Sequence, residues 1–360
     1  MQRISMAAGF FALLLLGAAL APAPIERTST SLVSRVLTTY TPQVEGAGKP
    51  NAMTSAAAAF LDRLDDERRA EAAFPLASPE RANWTNVPPG SEEGGVRLGD
   101  CIEAELHAAC DLLATVLSAE GYQRVRDILL ADDLLLRDGQ PRRGFGAENF
   151  WLAIFGTPSA SKRWALQLDG HHLALNLTIE GDAIGLSPTF LGAQPARFAR
   201  DGQAGRVEPL AEESALAHAF LLSLSEDQRT RAVVASERRG NQAAAGKDGF
   251  VPTPEGLPCT ELKDEQRARL TDLLKRSAHI LPADQAATRT KSLTAEIQAM
   301  HFAWSGPVAH PADMSYRLQG PSLILEFACQ DLGGDPLQHL HCMIRNPRAE
   351  YLPKALASDR

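Results

Sequence analysis

The chain is predicted to fold as α+β, a single domain with one antiparallel or mixed sheet and flanking helices. Three observations carry this. Apolar residues recur with the helical period of about 3.6 in three blocks, 101–136, 210–236 and 262–300. Two other blocks alternate with the period of two that belongs to strands. In the first of these, the runs are divided by Asp169-Gly170 and Gly181-Asp182, dipeptides that close two-residue hairpins and make neighbouring strands antiparallel. Helices and strands kept apart along the chain give α+β, whereas a parallel sheet needs them to alternate.

The first 24 residues read as a secretory signal. They carry Arg3, an apolar run from Met6 to Leu20 shorter than the roughly 20 residues that span a bilayer, and the small-residue tract Ala18-Ala-Leu-Ala21. Export to the periplasm or the medium is therefore expected, with membrane contact only through this segment. Pro22 directly after Ala21 hinders cleavage, so an uncleaved anchor is the alternative. Residues 25–52 are rich in Ser, Thr, Pro and Gly without a period, the composition of a flexible linker. The folded domain is expected to occupy 53–360.

Ala56-Ala-Ala-Ala-Phe60-Leu-Asp-Arg-Leu64 reads as a helix, and Asp65-Asp-Glu-Arg68 starts a second one with acidic residues in its first turn. This phrase returns. Phe220-Leu-Leu-Ser-Leu224-Ser-Glu-Asp-Gln-Arg229 matches Phe60-Leu-Asp-Arg-Leu64-Asp-Asp-Glu-Arg-Arg69, and Leu262-Lys-Asp-Glu-Gln-Arg267 is a weaker third copy. Ser225 and Gln228 have the spacing of a capping box, so the shared element is either a helix start alone or an internal duplication. The strand-like runs are Trp164–Leu168, His171–Ile179 and Ala183–Ser187, then Met300–Trp304, Ser315–Gln319, Ser322–Phe327 and His339–Ile344.

A hydrophobic content of 44% with 22% charged residues is that of a globular protein. The net charge of -8 provides no positive field, which argues against a nucleic-acid partner. Five cysteines without a Cys-x-x-Cys fit neither a disulfide scaffold nor a zinc ribbon; Cys329 and Cys342 lie on neighbouring strand-like segments, where pairing is optional.

The chemistry concentrates in histidines. On a strand over 171–179, alternation puts His171 with Leu173, Leu175 and Leu177, as a core histidine bonded to a backbone carbonyl, and His172 on the polar face with Asn176. His339 and His341 project from one face about 7 Å apart, close enough to converge on one ion. With His172 they are the first-choice ligands for a divalent transition metal such as zinc, iron, copper or manganese; Glu326 or His301 completes the set, and Gln319 and Asn176 are outer acceptors and, with Arg345, candidate substrate-binding residues. Arg317 and Arg345 are placed to clamp the anionic group of a small polar substrate, beside Glu326 as a further catalytic group; their alternative role is in structural ion pairs with Glu326 and Glu350. These residues suggest a metal-dependent hydrolase or oxidoreductase. Its rivals are a non-catalytic cell-envelope protein that binds a small ligand in the same cleft, and histidines that only bond one another and the backbone.

Phe155-Gly-Thr-Pro-Ser, Gly170-His-His-Leu-Ala-Leu-Asn176, Pro188-Thr-Phe-Leu-Gly-Ala-Gln-Pro-Ala196, His301-Phe-Ala-Trp304, Tyr316-Arg-Leu-Gln-Gly-Pro321 and His339-Leu-His341 occur in this order. Over residues 55–352 the chain resembles the bacterial proteins grouped as the domain of unknown function 3500. The resemblance implies an exported or envelope protein with one long domain and a shared histidine-containing site, and it implies no activity. The chain departs from the expected pattern at Met314, where a histidine would stand two residues before Tyr316, so a ligand from that position would be missing here.

Overall fold

Two copies of one supersecondary unit, joined edge to edge, build the sheet of this protein. The computed structural model describes residues 30–88, 94–138, 144–199, 205–309, 311, 313–331 and 334–351. A short helix α1 (Leu32–Thr39) precedes the first unit, which runs α2 (Pro50–Arg63), α3 (Asp66–Ala72), β1 (Ala73–Phe74), β2 (Val96–Arg97), α4 (Glu103–Val116), α5 (Ala119–Asp138), β3 (Phe150–Phe155), β4 (Trp164–Gly170), β5 (Leu173–Glu180) and β6 (Ala183–Ala193). After a small ribbon, β7 (Phe198–Ala199) with β8 (Arg206–Val207), the same order returns. It runs α6 (Ala211–Ser223), α7 (Glu226–Ala232), β9 (Val233–Ala235), β10 (Leu257–Pro258), α8 (Asp264–Ala278), α9 (Ala283–Ala295), β11 (His301–Ser305), β12 (Ser315–Gly320), β13 (Leu323–Cys329) and β14 (Leu340–Arg345).

Sheet order repeats the symmetry. The central path is β1-β3-β4-β5-β6-β14-β13-β12-β11-β10, with β2 on β3 and β9 on β11, so the units meet along the antiparallel pair β6–β14. β1 and β9 each run parallel to the first long strand of their own unit, which makes the sheet mixed. The matched phrases at Phe60 and Phe220 are thus equivalent positions of a duplication. In each unit the third residue of the second helix reaches the third residue of the third helix. Arg68 pairs with Glu105 at 2.7 Å, and Gln228 exchanges amide bonds of 3.2 and 2.8 Å with Gln266. The phrase at Leu262 opens α8, the counterpart of α4, and shares only the helix start. The capping box of Ser225 and Gln228 forms as expected.

Both faces of the sheet are covered. Leu166, Leu168, Leu173, Leu175 and Leu177 of the first unit and Tyr316, Leu318, Leu323, Leu325 and Phe327 of the second join the helices in one core. The opposite face carries polar groups under the connections 75–88 and 236–256, where Trp84 and Ala243 form a second small apolar cluster with Phe190, Ile324 and Met343.

Three expectations change. Helix α1 lies inside the segment expected to be a linker: Val33, Val36 and Leu37 form an apolar stripe buried against the core, and the Ser31 side chain caps the helix at Ser34. The helical blocks at 101–136 and 262–300 are each two helices. The expected signal over 1–24 lies outside the described residues, among which no helix is long and apolar enough to cross a membrane.

Candidate metal centre

The turn that brings the histidines together was expected two residues earlier. Strand β4 continues through Asp169 and Gly170, and the hairpin turn falls on His171 and His172, so His171 is not on the apolar face of a strand. His172 has φ of +67°, a region that non-glycine residues seldom occupy and that persists where surroundings over-determine it. Those surroundings are visible. The His172 N–H donates to the Asn86 carbonyl at 3.3 Å, its carbonyl accepts from Gly192 at 2.6 Å, and its ring lies over Gly192 so closely that a Cβ there would meet Cδ2 at 2.9 Å. Glycine at 192 therefore makes room for the ring.

From across the joint between the units come His339 and His341. His339 precedes β14 and His341 is its second residue, paired with Gly192 on one side and Ala328 on the other. Nε2 of His339 lies 2.8 Å from Nε2 of His172 and 2.9 Å from Nε2 of His341. An imidazole nitrogen carries either one proton or one lone pair, so the Nε2 of His339 satisfies only one of these contacts by an ordinary hydrogen bond. A cation between the three satisfies all of them. Nitrogens bound at 2.0–2.1 Å in a tetrahedron are about 3.3 Å apart, a small expansion of the spacing found here. His172 and His339 are buried, and His341 is partly exposed at the open side with Phe190 edge-on to its ring at 4.9 Å.

His171 faces another way. Its Nδ1 lies 2.5 Å from Oδ1 of Asp132, whose Oδ2 accepts from the Gly146 N–H at 2.7 Å. Phe145 stacks on one face of the ring at 4.7 Å and His172 on the other at 3.7 Å. His171 is thus bonded to a side-chain carboxylate where a backbone carbonyl was expected. Asp132, His171 and His172 form a second group whose ligand atoms lie within 4.8 Å of one another. Sequence reasoning missed Asp132. The signal was an acidic pair, Asp132-Asp133, set within Ile128–Leu136, an otherwise apolar stretch of α5 where a carboxylate has no water to face.

Burial holds His172 well below the ordinary histidine range, with His171, His341 and His339 adding to it; burial, then His339 and His171, does the same for His341. Both rings are therefore neutral and offer lone pairs at neutral pH. The unfolded chain takes up protons near pH 6.5 that the folded chain refuses, so the histidine contribution to stability is full above about 6.5 and is lost as the pH falls below it. For fully buried His172 the slope is of order 1 kcal/mol per pH unit, and less for His341. Urea denaturation of metal-free protein is expected to show its midpoint falling between neutral and mildly acidic pH; an unchanged midpoint would contradict the burial of neutral rings.

The remaining candidates lie elsewhere. His301 is on β11, three strand spacings or roughly 14 Å from β14, opposite Gln319. Glu326 is on β13 next to the site's strand, but its Oε2 accepts from Gln242 and Ala243 at 2.8 and 2.9 Å and Arg317 lies 3.6 Å from Oε1. Burial raises its pKa above the usual carboxylate range. Arg317 also reaches Gln242, Thr253 and Glu255. Arg345 bonds Ala243, Ala244, Asp248 and Glu350. Gln319 donates to the Pro252 carbonyl at 2.5 Å, and Asn176 accepts from Gln167 at 2.6 Å. These five side chains fasten the covering connections and their own sheet face, so the alternative of structural pairing describes the arginines. Met314 is fully buried in the core on the face opposite His341, so it is no vacant ligand position of this cluster. All five cysteines are buried and free.

Only one turn of the duplicated pair carries histidines. Its counterpart between β12 and β13 is Pro321-Ser322, where Ser322 bonds Glu296 through its N–H and hydroxyl at 3.1 and 2.9 Å. The centre thus takes one ligand from the first unit and two from the second, and only the joined pair builds it. No curated protein and no solved structure matches the chain. The model of the family described as protein of unknown function (DUF3500) matches residues 47–352, most of the described fold, and the chain belongs to that family.

Proposed function

We propose that this protein is an exported metal-dependent enzyme whose centre is His172, His339 and His341. The observation that carries the reading is the Nε2 of His339 at 2.8 and 2.9 Å from two other ring nitrogens, a contact pair that hydrogen bonding alone does not satisfy. Three imidazoles on one ion leave a coordination position open, the arrangement of catalytic rather than structural sites. A redox-inert ion there activates water for hydrolysis, and a redox-active one supports oxidation; identifying the ion chooses between them. Arg317 and Arg345, already bonded within the chain, give no support to a cleft that binds an anionic ligand without metal.

Elemental analysis of the purified protein tests the reading. One transition metal per chain is expected, and none in a His339→Ala, His341→Ala double variant that keeps its far-UV spectrum. Metal-free protein whose melting is unmoved by zinc, copper, iron or manganese would overturn it.

A further inference from the structure

The charge at this centre does not balance. A histidine holds a metal ion as the neutral imidazole, so His172, His339 and His341 leave the whole charge of a divalent ion uncompensated. Among the described residues, Asp132 is the single carboxylate grouped with these histidines. Its Oδ2 accepts from the Gly146 N–H and its Oδ1 meets Nδ1 of His171, and among the described residues no Arg or Lys is paired with it. A divalent ion with one neighbouring carboxylate keeps a net charge of about one in a largely buried site, where uncompensated charge is costly.

Among the described residues, no further protein group is in place to supply the missing anion. Glu326 is held by two backbone N–H groups of the covering connection, and Asp132 is held by Gly146 and His171. Of the three ligands only His341 is partly exposed, and the fully buried Phe190 lies against its ring, so the room left beside the ion is small. The two arginines that would anchor a bulky polyanion are bonded elsewhere. Resting on the metal reading above, we infer that the open position takes one small monoanion of the size of azide, formate or hydroxide, and that Asp132 sets its affinity by its charge.

Cobalt(II)-loaded full-length protein, with the metal content measured first, is titrated with sodium azide, sodium formate and inorganic phosphate while its visible absorption is followed. Azide and formate are expected to give saturable spectral changes and phosphate none. Asp132→Asn, which keeps an acceptor for His171, is expected to bind azide roughly tenfold tighter, the effect of one charge about 6 Å away at an effective dielectric of about 40. Cobalt bound stoichiometrically with a spectrum that neither azide nor formate changes would overturn the inference and leave the metal reading standing. A phosphate response equal to that of azide would overturn the size and charge assignment. Equal azide affinity in a metal-replete Asp132→Asn protein would remove Asp132 from the account. If that variant fails to take up cobalt, the anion titrations of the unmodified protein decide the matter. Protein that binds no cobalt, zinc, copper, iron or manganese would overturn the function proposed above, and this inference with it.

Discussion

Zinc at a thousandfold excess over its dissociation constant is expected to raise the melting temperature of this protein by roughly 8 °C, and at the same concentration to move a His172→Ala variant far less. A ligand bound only by the folded state at that excess adds about 4 kcal/mol, and for a domain of this size each kcal/mol corresponds to about 2 °C or more. His172 is the informative ligand because it alone comes from the first unit, while His339 and His341 are neighbours on the second. Two ring nitrogens two residues apart still bind zinc weakly, so the variant reports the loss of the third ligand without destroying the rest. Scanning calorimetry with and without zinc, on both proteins and on a His301→Ala control, measures it. The control is expected to respond as the unmodified protein does, since His301 stands three strands away. A His172→Ala protein that keeps the full zinc response would remove His172 from the centre.

The site was legible in the sequence as to residue type and only partly as to place. His339-x-His341 could be read because a period of two fixes which side chains share a face, and Gly192 opposite His341 shows why that face has room. The strand boundary at 171 was misread for a local reason. Asp169-Gly170 is a good turn dipeptide, but the pairing of β4 with β5 carries both residues into the strand and leaves the turn to two histidines with less favourable chemistry for it. Tertiary contacts from Asn86, Gly192 and Asp132 override the local preference, as happens where a site is functional or strained. Asp132 and Phe145 lie 39 and 26 residues before His171 and no spacing rule connects them, so only the folded chain brings them together.

The fold was legible to a similar depth. Segregated periods were enough for the α+β class, and the phrase repeated at Phe60 and Phe220 recorded the duplication. What the sequence left open was whether that phrase meant more than a capped helix start. The answer needed the pairing of β6 with β14, a contact between distant segments that leaves no periodic trace. The segment 25–52 was misassigned because Ser, Thr and Pro dominate its composition, while Val33, Val36 and Leu37 together make a single buried turn too short to register as a period.

Arg345→Ala is expected to destabilise the protein by about 3–5 kcal/mol, a fall in melting temperature of roughly 10 °C, without loss of metal binding by the folded fraction. The guanidinium is 1% exposed and donates to the carbonyls of Ala243 and Ala244 at 2.7 and 2.9 Å and to Asp248 at 2.9 Å, with Glu350 as a further partner. It also lies 5.7 Å from the centroid of the Trp84 ring, so it ties both covering connections to β14. Removing it orphans two carbonyls and leaves two carboxylates facing each other, and the second effect makes the loss larger than that of the hydrogen bonds alone. Arg345→Lys is expected to recover only part, since one ammonium does not reproduce a planar fork that serves four acceptors. Urea denaturation gives the stability, and zinc titration of the same samples gives the binding. A protein of unchanged stability that had lost its substrate turnover would restore Arg345 to the role of an anion clamp. The network of bonds around it argues for the opposite outcome, because a buried guanidinium with four of its five N–H groups engaged by its own chain has little to offer a substrate.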